Sequence, residues 1–88
     1  MHSTQWHVDL FLGEEEGRTH ARARLTTGAA TKLEALGTAR LNPADRNVPE
    51  IGDELAAARA LSALAHQLLD VAAGDIEGVT HEPVRLEH

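Results

Sequence analysis

Hydrophobic and polar residues alternate along three stretches of the chain, residues 5–12, 18–25 and 31–41. A period of two indicates β-strands that each bury one face. The positions expected to face the core are Trp6, Val8, Leu10 and Leu12, then Thr19, Ala21, Ala23 and Leu25, then Leu33, Ala35, Gly37, Ala39 and Leu41. Residues 13–17 and 26–30 are rich in glycine and polar residues, so they are predicted to be short loops. Three strands joined in this way favour an antiparallel meander.

The second half of the chain changes to a helical spacing. After a turn cluster at residues 42–46, Asn47 is expected to cap a helix, with Pro49 in its first turn and Glu50 as the capping-box partner. The stripe expected to pack on the sheet is Ile51, Leu55, Ala58, Leu61, Ala65, Leu68 and Ala72, with Leu64 and Leu69 widening it. Gly74 is predicted to end this helix of about 24 residues, which at ~36 Å is long for a three-stranded sheet. Part of the stripe is therefore expected to overhang the sheet and meet a partner.

The C-terminal segment completes the predicted fold. A short second helix, capped by Asp75, is predicted over residues 75–79, and Pro83 is expected to keep residues 80–85 extended. The predicted fold class is α+β, with a three-stranded antiparallel sheet packed by one long helix and a short second helix near the C-terminus. Residues 1–85 are expected to form a single domain, and residues 86–88 resemble the start of an expression tag.

Composition narrows the class of protein. The 88 residues contain no cysteine, one tryptophan and one phenylalanine, so the core must consist of small and aliphatic side chains. A domain of this size buries only ~60–65% of its unfolded surface, and pairing with a second copy would add stability, so a homodimer is expected. The first residues, MHST, do not have the basic start and apolar run typical of a signal peptide, and no stretch approaches the ~20 consecutive apolar residues of a membrane span. These features favour a cytoplasmic protein that does not enter a membrane.

Catalytic and metal chemistry is poorly represented in the sequence. Asp53 and Glu54 are adjacent on the predicted helix, so their carboxylates diverge by ~100° and suit a solvated face near the positive end of the helix dipole better than an acid–base pair. His66 and Asp70 are four residues apart, a spacing that can hold a metal, but two ligands do not make a site. The chain is therefore expected not to be an enzyme, and no cofactor or metal is expected.

Charge is distributed unevenly along the chain. The net charge of −6 disfavours a general nucleic-acid binder, yet five of the eight basic residues fall between positions 18 and 40. The candidate RNA- or phosphate-binding residues, all expected on the open face of the sheet, are Arg18, His20, Arg22, Arg24, Lys32 and Arg40. Two other uses of this face stay open. It could contact an acidic protein, or its cations could simply pair with Glu34 and Asp9, with Phe11 and Leu36 partly buried at a dimer contact.

A longer motif carries a family resemblance. The run from Leu41 to Leu55, LNPADRNVPEIGDEL, followed by residues 58–62 and Leu64, resembles a family of small actinobacterial proteins of undefined function. Residues 6–9, 75–77 and 80–83 belong to the same pattern, so the resemblance covers nearly the whole chain. It implies a fold like that of the double-stranded-RNA-binding domain, a homodimer, and a link to hypoxia, dormancy or stress.

The resemblance also implies a dimer similar in shape to ribosome hibernation-promoting factors, which sit on the small ribosomal subunit and silence translation. The favoured function is therefore a homodimeric, cytoplasmic stress protein that binds the ribosome or RNA and slows translation. The six candidate residues of the sheet face would supply the phosphate contacts. The alternative is a homodimeric protein–protein adaptor without nucleic-acid contact, which would use the overhanging helix stripe together with Phe11 and Leu36.

Overall fold

Three strands and one long helix form the structure, a computed structural model that describes residues 2–28, 32–40 and 49–81. The elements are β1 (His7–Glu15), β2 (Arg18–Thr26), β3 (Lys32–Arg40) and α1 (Pro49–Thr80). The strands lie in the order β1-β2-β3 with both neighbouring pairs antiparallel. The predicted α+β class and the three-stranded meander are therefore confirmed. The turn cluster at residues 42–46, the cap at Asn47 and the tail from residue 82 lie outside the described residues.

A two-residue turn joins β1 to β2. Glu15 pairs with Arg18, and Glu16 and Gly17 between them have φ angles of 50° and 73°. Positive φ at both turn positions is the conformation that continues the twist of a tight hairpin, and glycine adopts it without steric cost. The loop predicted over residues 13–17 is thus too long, because residues 13–15 belong to β1 and pair with β2.

The strands bury one face, as their alternation predicts, but only where the helix covers them. The buried positions are Thr19, Ala21, Ala23 and Leu25 of β2 and Ala35, Gly37 and Ala39 of β3. The register puts Val8, Leu10 and Leu12 of β1 on this same face. Every residue of β1 is nevertheless exposed, because α1 lies over β2 and β3 and hardly touches β1. The prediction of which β1 side chains lie on the helix side of the sheet is confirmed, and the prediction that these side chains are buried is wrong.

The helix packs on the sheet through its smallest side chains. Gly52, Ala56, Ala60 and Leu64, spaced four residues apart, are buried. The stripe predicted for this role is wrong at six positions, because Ile51, Leu55, Ala58, Leu61, Ala65 and Ala72 are exposed. Leu68 packs against the core, and of the two residues predicted to widen the stripe Leu64 is buried and Leu69 is half-buried. The physical reason lies at Gly37, where a Cβ would overlap the backbone nitrogen of Ala60 and the carbonyl oxygen of Ala56. The two backbones approach too closely there for large side chains to fit between them.

The side chains of the helix also fix its lateral position. Arg59 Nη1 donates a hydrogen bond of 2.6 Å to the carbonyl oxygen of Thr38, and Gln67 Nε2 donates one of 2.9 Å to the carbonyl oxygen of Glu34. Both acceptors are on β3, so this side of α1 is held against β3 and away from β1. Among the described residues, the buried hydrophobic core consists of six alanines and two leucines.

The helix is longer than predicted and continues beyond the sheet. It runs for 32 residues, through Gly74 and through residues 75–79, so the described residues contain no separate second helix. Each interior glycine costs only about 1 kcal/mol relative to alanine, and neither Gly74 nor Gly78 adopts the positive φ of a helix terminus, so the helix continues through both. It ends instead at Thr80, and the next residue, His81, has φ 59° and donates its backbone N–H to the carbonyl of Glu77 at 2.7 Å. The described helix contains no segment long and apolar enough to cross a membrane.

Candidate nucleic-acid interface

The sheet face opposite α1 collects all six cationic candidates. The pairing register sets Arg18 opposite Arg40, His20 opposite Thr38, Arg22 opposite Leu36, Arg24 opposite Glu34 and Thr26 opposite Lys32. Directly paired residues project from the same side of a sheet. Because Ala21, Ala23 and Leu25 alternate with these residues and lie beneath the helix, the paired residues must point away from it. We call this surface the open face.

The centre of the open face is an aromatic ring flanked by two arginines. The guanidinium carbons of Arg22 and Arg24 lie 4.9 Å and 5.6 Å from the ring centroid of Phe11. Arg24 also donates from Nε to Glu34 Oε1 at 2.9 Å, and Arg22 Nε lies 3.8 Å from the same oxygen. Leu36 stands beside them with 71% of its surface exposed. The centre therefore combines charge, an aromatic ring and exposed apolar surface.

One end of the open face brings two arginines together, with Glu15 of β1 opposite one of them, Arg18. Arg18 and Arg40 are direct cross-strand neighbours, an arrangement that is unfavourable for like charges. Within the described residues, neither guanidinium lies within ion-pair distance of a carboxylate. An open cleft of about 390 Å³ is lined here by Arg18, His20 and Arg40 together with Glu15 and Glu16 of the hairpin. An anion placed between the two arginines would relieve their repulsion.

The other end of the open face is more mixed in charge. A cleft of about 600 Å³ is lined by Asp9, Arg24, Thr26, Lys32 and Glu34. The predicted pairing of the cations with Glu34 is present, whereas Asp9 makes no ion pair with any of the described basic residues. Lys32 likewise has no carboxylate within ion-pair distance in the described part of the chain.

Sequence reasoning missed the contact between Phe11 and the two arginines. The signal for it was the Glu16-Gly17 pair, since a two-residue turn there fixes the register that sets Phe11 opposite Arg22. His66 and Asp70, weighed as metal ligands, each have contacts of their own, and the described residues contain no group of three or more His, Cys, Asp or Glu that could hold a metal ion.

Comparison with known proteins identifies relatives over nearly the whole chain. A family model described as Rv2632c-like matches residues 4–85. The uncharacterized protein MT1780 of Mycobacterium tuberculosis (strain CDC 1551 / Oshkosh) is 58% identical over 81 residues, which cover 92% of this chain and 85% of that protein. The uncharacterized protein Rv2632c of M. tuberculosis (strain ATCC 25618 / H37Rv) is 51% identical over 77 residues, covering 88% and 82%.

A solved structure shows the same fold. The crystal structure of Rv2632c matches with a TM-score of 0.84 at 46% sequence identity, and the match covers 94% of this chain and 98% of that one. The resemblance inferred from the motif at residues 41–55 is thereby confirmed as a resemblance to uncharacterised mycobacterial proteins. The names of these relatives state no activity, so any function has to be argued from the geometry of the open face.

Proposed function

This chain belongs to the Rv2632c-like family, and we propose that it binds RNA through the open face of its sheet. The favoured target is ribosomal RNA, and the expected effect is slower translation in the cytoplasm of stressed or dormant cells. The protein would act by binding and not by catalysis. The choice of the ribosome rests on the likeness to hibernation-promoting factors, and the choice of the open face rests on its charges and contacts.

One observation carries the proposal. Arg18 and Arg40 lie opposite each other with no carboxylate at ion-pair distance in the described residues. Like charges held together on a sheet cost stability unless they bind something of opposite charge. A backbone phosphate of RNA offers two non-bridging acceptor oxygens to two planar guanidinium groups, which are suited to bind phosphate through paired hydrogen bonds. His20 in the neighbouring row lines the same cleft and would add a further donor.

The rest of the open face extends this phosphate site along a strand. Outward side chains of β2 follow one another at about 6.8 Å, because each residue advances the strand by about 3.4 Å. Arg18, His20, Arg22 and Arg24 therefore form a row suited to a single nucleic-acid strand. Phe11, 45% exposed between two arginines, provides an aromatic surface on which a base could stack. Proteins that bind single-stranded nucleic acid typically combine a positively charged groove with aromatic side chains on which bases stack.

The acidic remainder of the protein would orient the RNA. The open face carries five Lys and Arg residues against the three carboxylates of Asp9, Glu15 and Glu34, although the whole chain has a net charge of −6. Helix α1 carries Glu50 in its first turn, followed by Asp53 and Glu54. These charges repel a polyanion from the helix side and leave the open face as the favourable approach.

A pair of variants of equal net charge tests the proposal. Arg18→Gln with Arg40→Gln removes two arginines that have no carboxylate at ion-pair distance in the described part of the chain. Ala72→Glu with Val79→Glu adds two charges on exposed helix positions beyond the sheet and gives the same net charge. Anisotropy of a fluorescent single-stranded RNA, measured over a range of salt concentrations, should show weaker binding and a log–log salt slope smaller by about 1.4 for the first variant, corresponding to two lost phosphate contacts. The second variant should keep the slope.

Ribosomes supply the second arm of the test. The Arg22→Glu, Arg24→Glu double variant should lose salt-sensitive co-sedimentation with ribosomes while keeping its circular dichroism spectrum. Binding to free RNA without binding to ribosomes would retain the open face and reject the ribosome as target. If the wild-type protein binds neither at low salt, RNA binding is refuted and the protein–protein adaptor becomes the better explanation.

A further inference from the structure

We infer that the open face holds one base of the bound RNA in a recess above Gly13. This base site rests on the proposed function and adds to it, because it is separate from the phosphate site at Arg18 and Arg40. The recess is an open cleft of about 340 Å³, and its lining residues on the open face are Phe11, Gly13, His20, Arg22 and Leu36.

The recess exists because one row of the sheet has no side chain on β1. Gly13 of β1, His20 of β2 and Thr38 of β3 pair across the sheet and form this row. The rows on either side carry longer side chains, which are Glu15, Arg18 and Arg40 on one side and Phe11, Arg22 and Leu36 on the other. A Cβ added to Gly13 would meet no atom within 4 Å. The space above this glycine is therefore open, and a flat group can approach the strand backbone there.

The walls of the recess carry the kinds of side chain on which bases stack. Single-stranded bases stack on aromatic rings, on the imidazole of His and on the guanidinium plane of Arg. The recess offers all three, in Phe11, His20 and Arg22, and Phe11 keeps 45% of its surface exposed. Leu36, 71% exposed at the same cleft, adds apolar surface that a stacked base would cover. The recess is therefore suited to a flat ring as well as to a negative charge.

The size and charge of the recess favour a single base over a larger group. Ligand pockets commonly measure ~300–1,000 Å³, so the volume of about 340 Å³ lies at the small end of that range. Unlike the clefts at the two ends of the open face, the recess has no carboxylate among its described lining residues. A base attached to a phosphate backbone can therefore enter it without bringing the backbone against a negatively charged wall.

His20 connects the recess to the phosphate site. Its side chain lines both the cleft at Arg18 and Arg40 and the recess above Gly13. The two rows of the sheet are about 6.8 Å apart along the strands, because each residue advances a strand by about 3.4 Å. One sugar bridges a gap of this size between a phosphate and its base. A single nucleotide can therefore place its phosphate between the two arginines and its base above Gly13 at the same time.

Filling the recess tests the base site without changing any charge. Gly13→Val places a side chain in the open space, and urea denaturation should show a stability no lower than that of the wild type, because valine is favoured in strands. Its affinity for single-stranded RNA should fall about 10-fold or more, the effect of losing one stacked base. The log–log salt slope should stay at the wild-type value, since the phosphate contacts are kept. Gly74→Val, the same change at an equally open position on the helix, is the control and should keep the wild-type affinity.

A ligand without bases supplies the second arm of the test. An oligomer of tetrahydrofuran abasic sites carries the same number of phosphates as an RNA of equal length. The wild-type protein should bind the RNA about 10-fold or more tightly than the abasic oligomer, whereas Gly13→Val should bind the two about equally. Equal binding of both oligomers by the wild type, or an RNA affinity that Gly13→Val leaves unchanged, would refute the base site and leave phosphate binding intact. A wild-type protein that binds neither oligomer would refute the proposed function, and the base site with it.

Discussion

The two faces of the sheet are built by the same strands and specify the structure in opposite ways. On the face under α1, the packing depends on small side chains: Gly37, Ala56 and Ala60 let the backbones of the strand and the helix come into contact. On the open face, what matters is charge and exposed side chains, with Arg22, Arg24 and Phe11 in contact and Leu36 in solvent. The covered face should therefore tolerate almost no added atom, and the open face should tolerate most changes without loss of stability.

The largest expected effect comes from adding one methyl group to a strand glycine. Gly37→Ala places a Cβ against the backbone of Ala60 and Ala56 and 2.8 Å from the carbonyl carbon of Arg59, and a backbone cannot yield as a flexible side chain does. We expect the free energy of unfolding to fall by about 3 kcal/mol or more, measured by urea denaturation. Gly13→Ala is the matched control on β1, where an added Cβ meets nothing within 4 Å, and it should change stability by less than about 0.5 kcal/mol. Equal losses at both glycines would contradict the close contact.

A second prediction compares two alanines of the same helix. Ala60 is fully buried against the sheet, whereas Ala72 is exposed beyond it. Ala60→Leu should lower the free energy of unfolding by about 1–3 kcal/mol through overpacking, and Ala72→Leu should be close to neutral. Thermal unfolding of both variants, followed by circular dichroism, gives the comparison. A stabilised Ala60→Leu variant would mean that the covered face contains room for a larger side chain.

Sequence patterns were sufficient for the strands but not for the choice of helix face. The alternation predicted the inward positions of β2 and β3 because a strand has only two faces. In a strand covered on one side, the hydrophobic residues mark the face that is buried. For α1, two stripes had helical spacing: Ile51, Leu55 and Ala58, and Gly52, Ala56 and Ala60. Hydrophobicity favours the first stripe, yet the helix packs through the second. The decision depends on the distance between helix and sheet, which Gly37 sets from a strand more than ten residues away.

The end of the helix and the open face show the same limit of prediction from local sequence. Gly74 has the composition of a helix terminus, but a terminus also needs a chain that leaves the helix, and residues 75–80 continue it. On the open face the six cations were assigned to the right side of the sheet, whereas the contact of Phe11 with Arg22 and Arg24 depends on the strand register. In both places the local sequence was not sufficient: the helix end and the contacts of Phe11 depend on residues further along the chain.

The helix beyond the sheet offers a third environment, in which neither face constrains the backbone. Gly74 lies in the helix with nothing within 4 Å of an added Cβ, whereas a Cβ on Gly52 would lie 2.7 Å from Thr19 Oγ1. Gly74→Ala should raise the free energy of unfolding by about 0.5–1 kcal/mol, because alanine is the better helix former and restricts the unfolded chain. Gly52→Ala should fail to show this gain, since the buried Thr19 side chain has to move. A gain of equal size at both positions would show that α1 does not press on β2 at Gly52.

The smallest expected effect on stability tests the open face itself. Glu34 pairs with Arg24 at 2.9 Å, but both side chains are nearly half exposed, and pairs of this kind contribute little. Glu34→Gln should therefore change the free energy of unfolding by less than about 0.5 kcal/mol. The same substitution removes the carboxylate that pairs with Arg22 and Arg24 and would compete with RNA for them. RNA affinity measured by anisotropy should therefore rise, and more strongly at low salt than at high salt. A large loss of stability would show that the open face holds the fold together as the covered face does, and an unchanged affinity would remove Arg22 and Arg24 from the binding site.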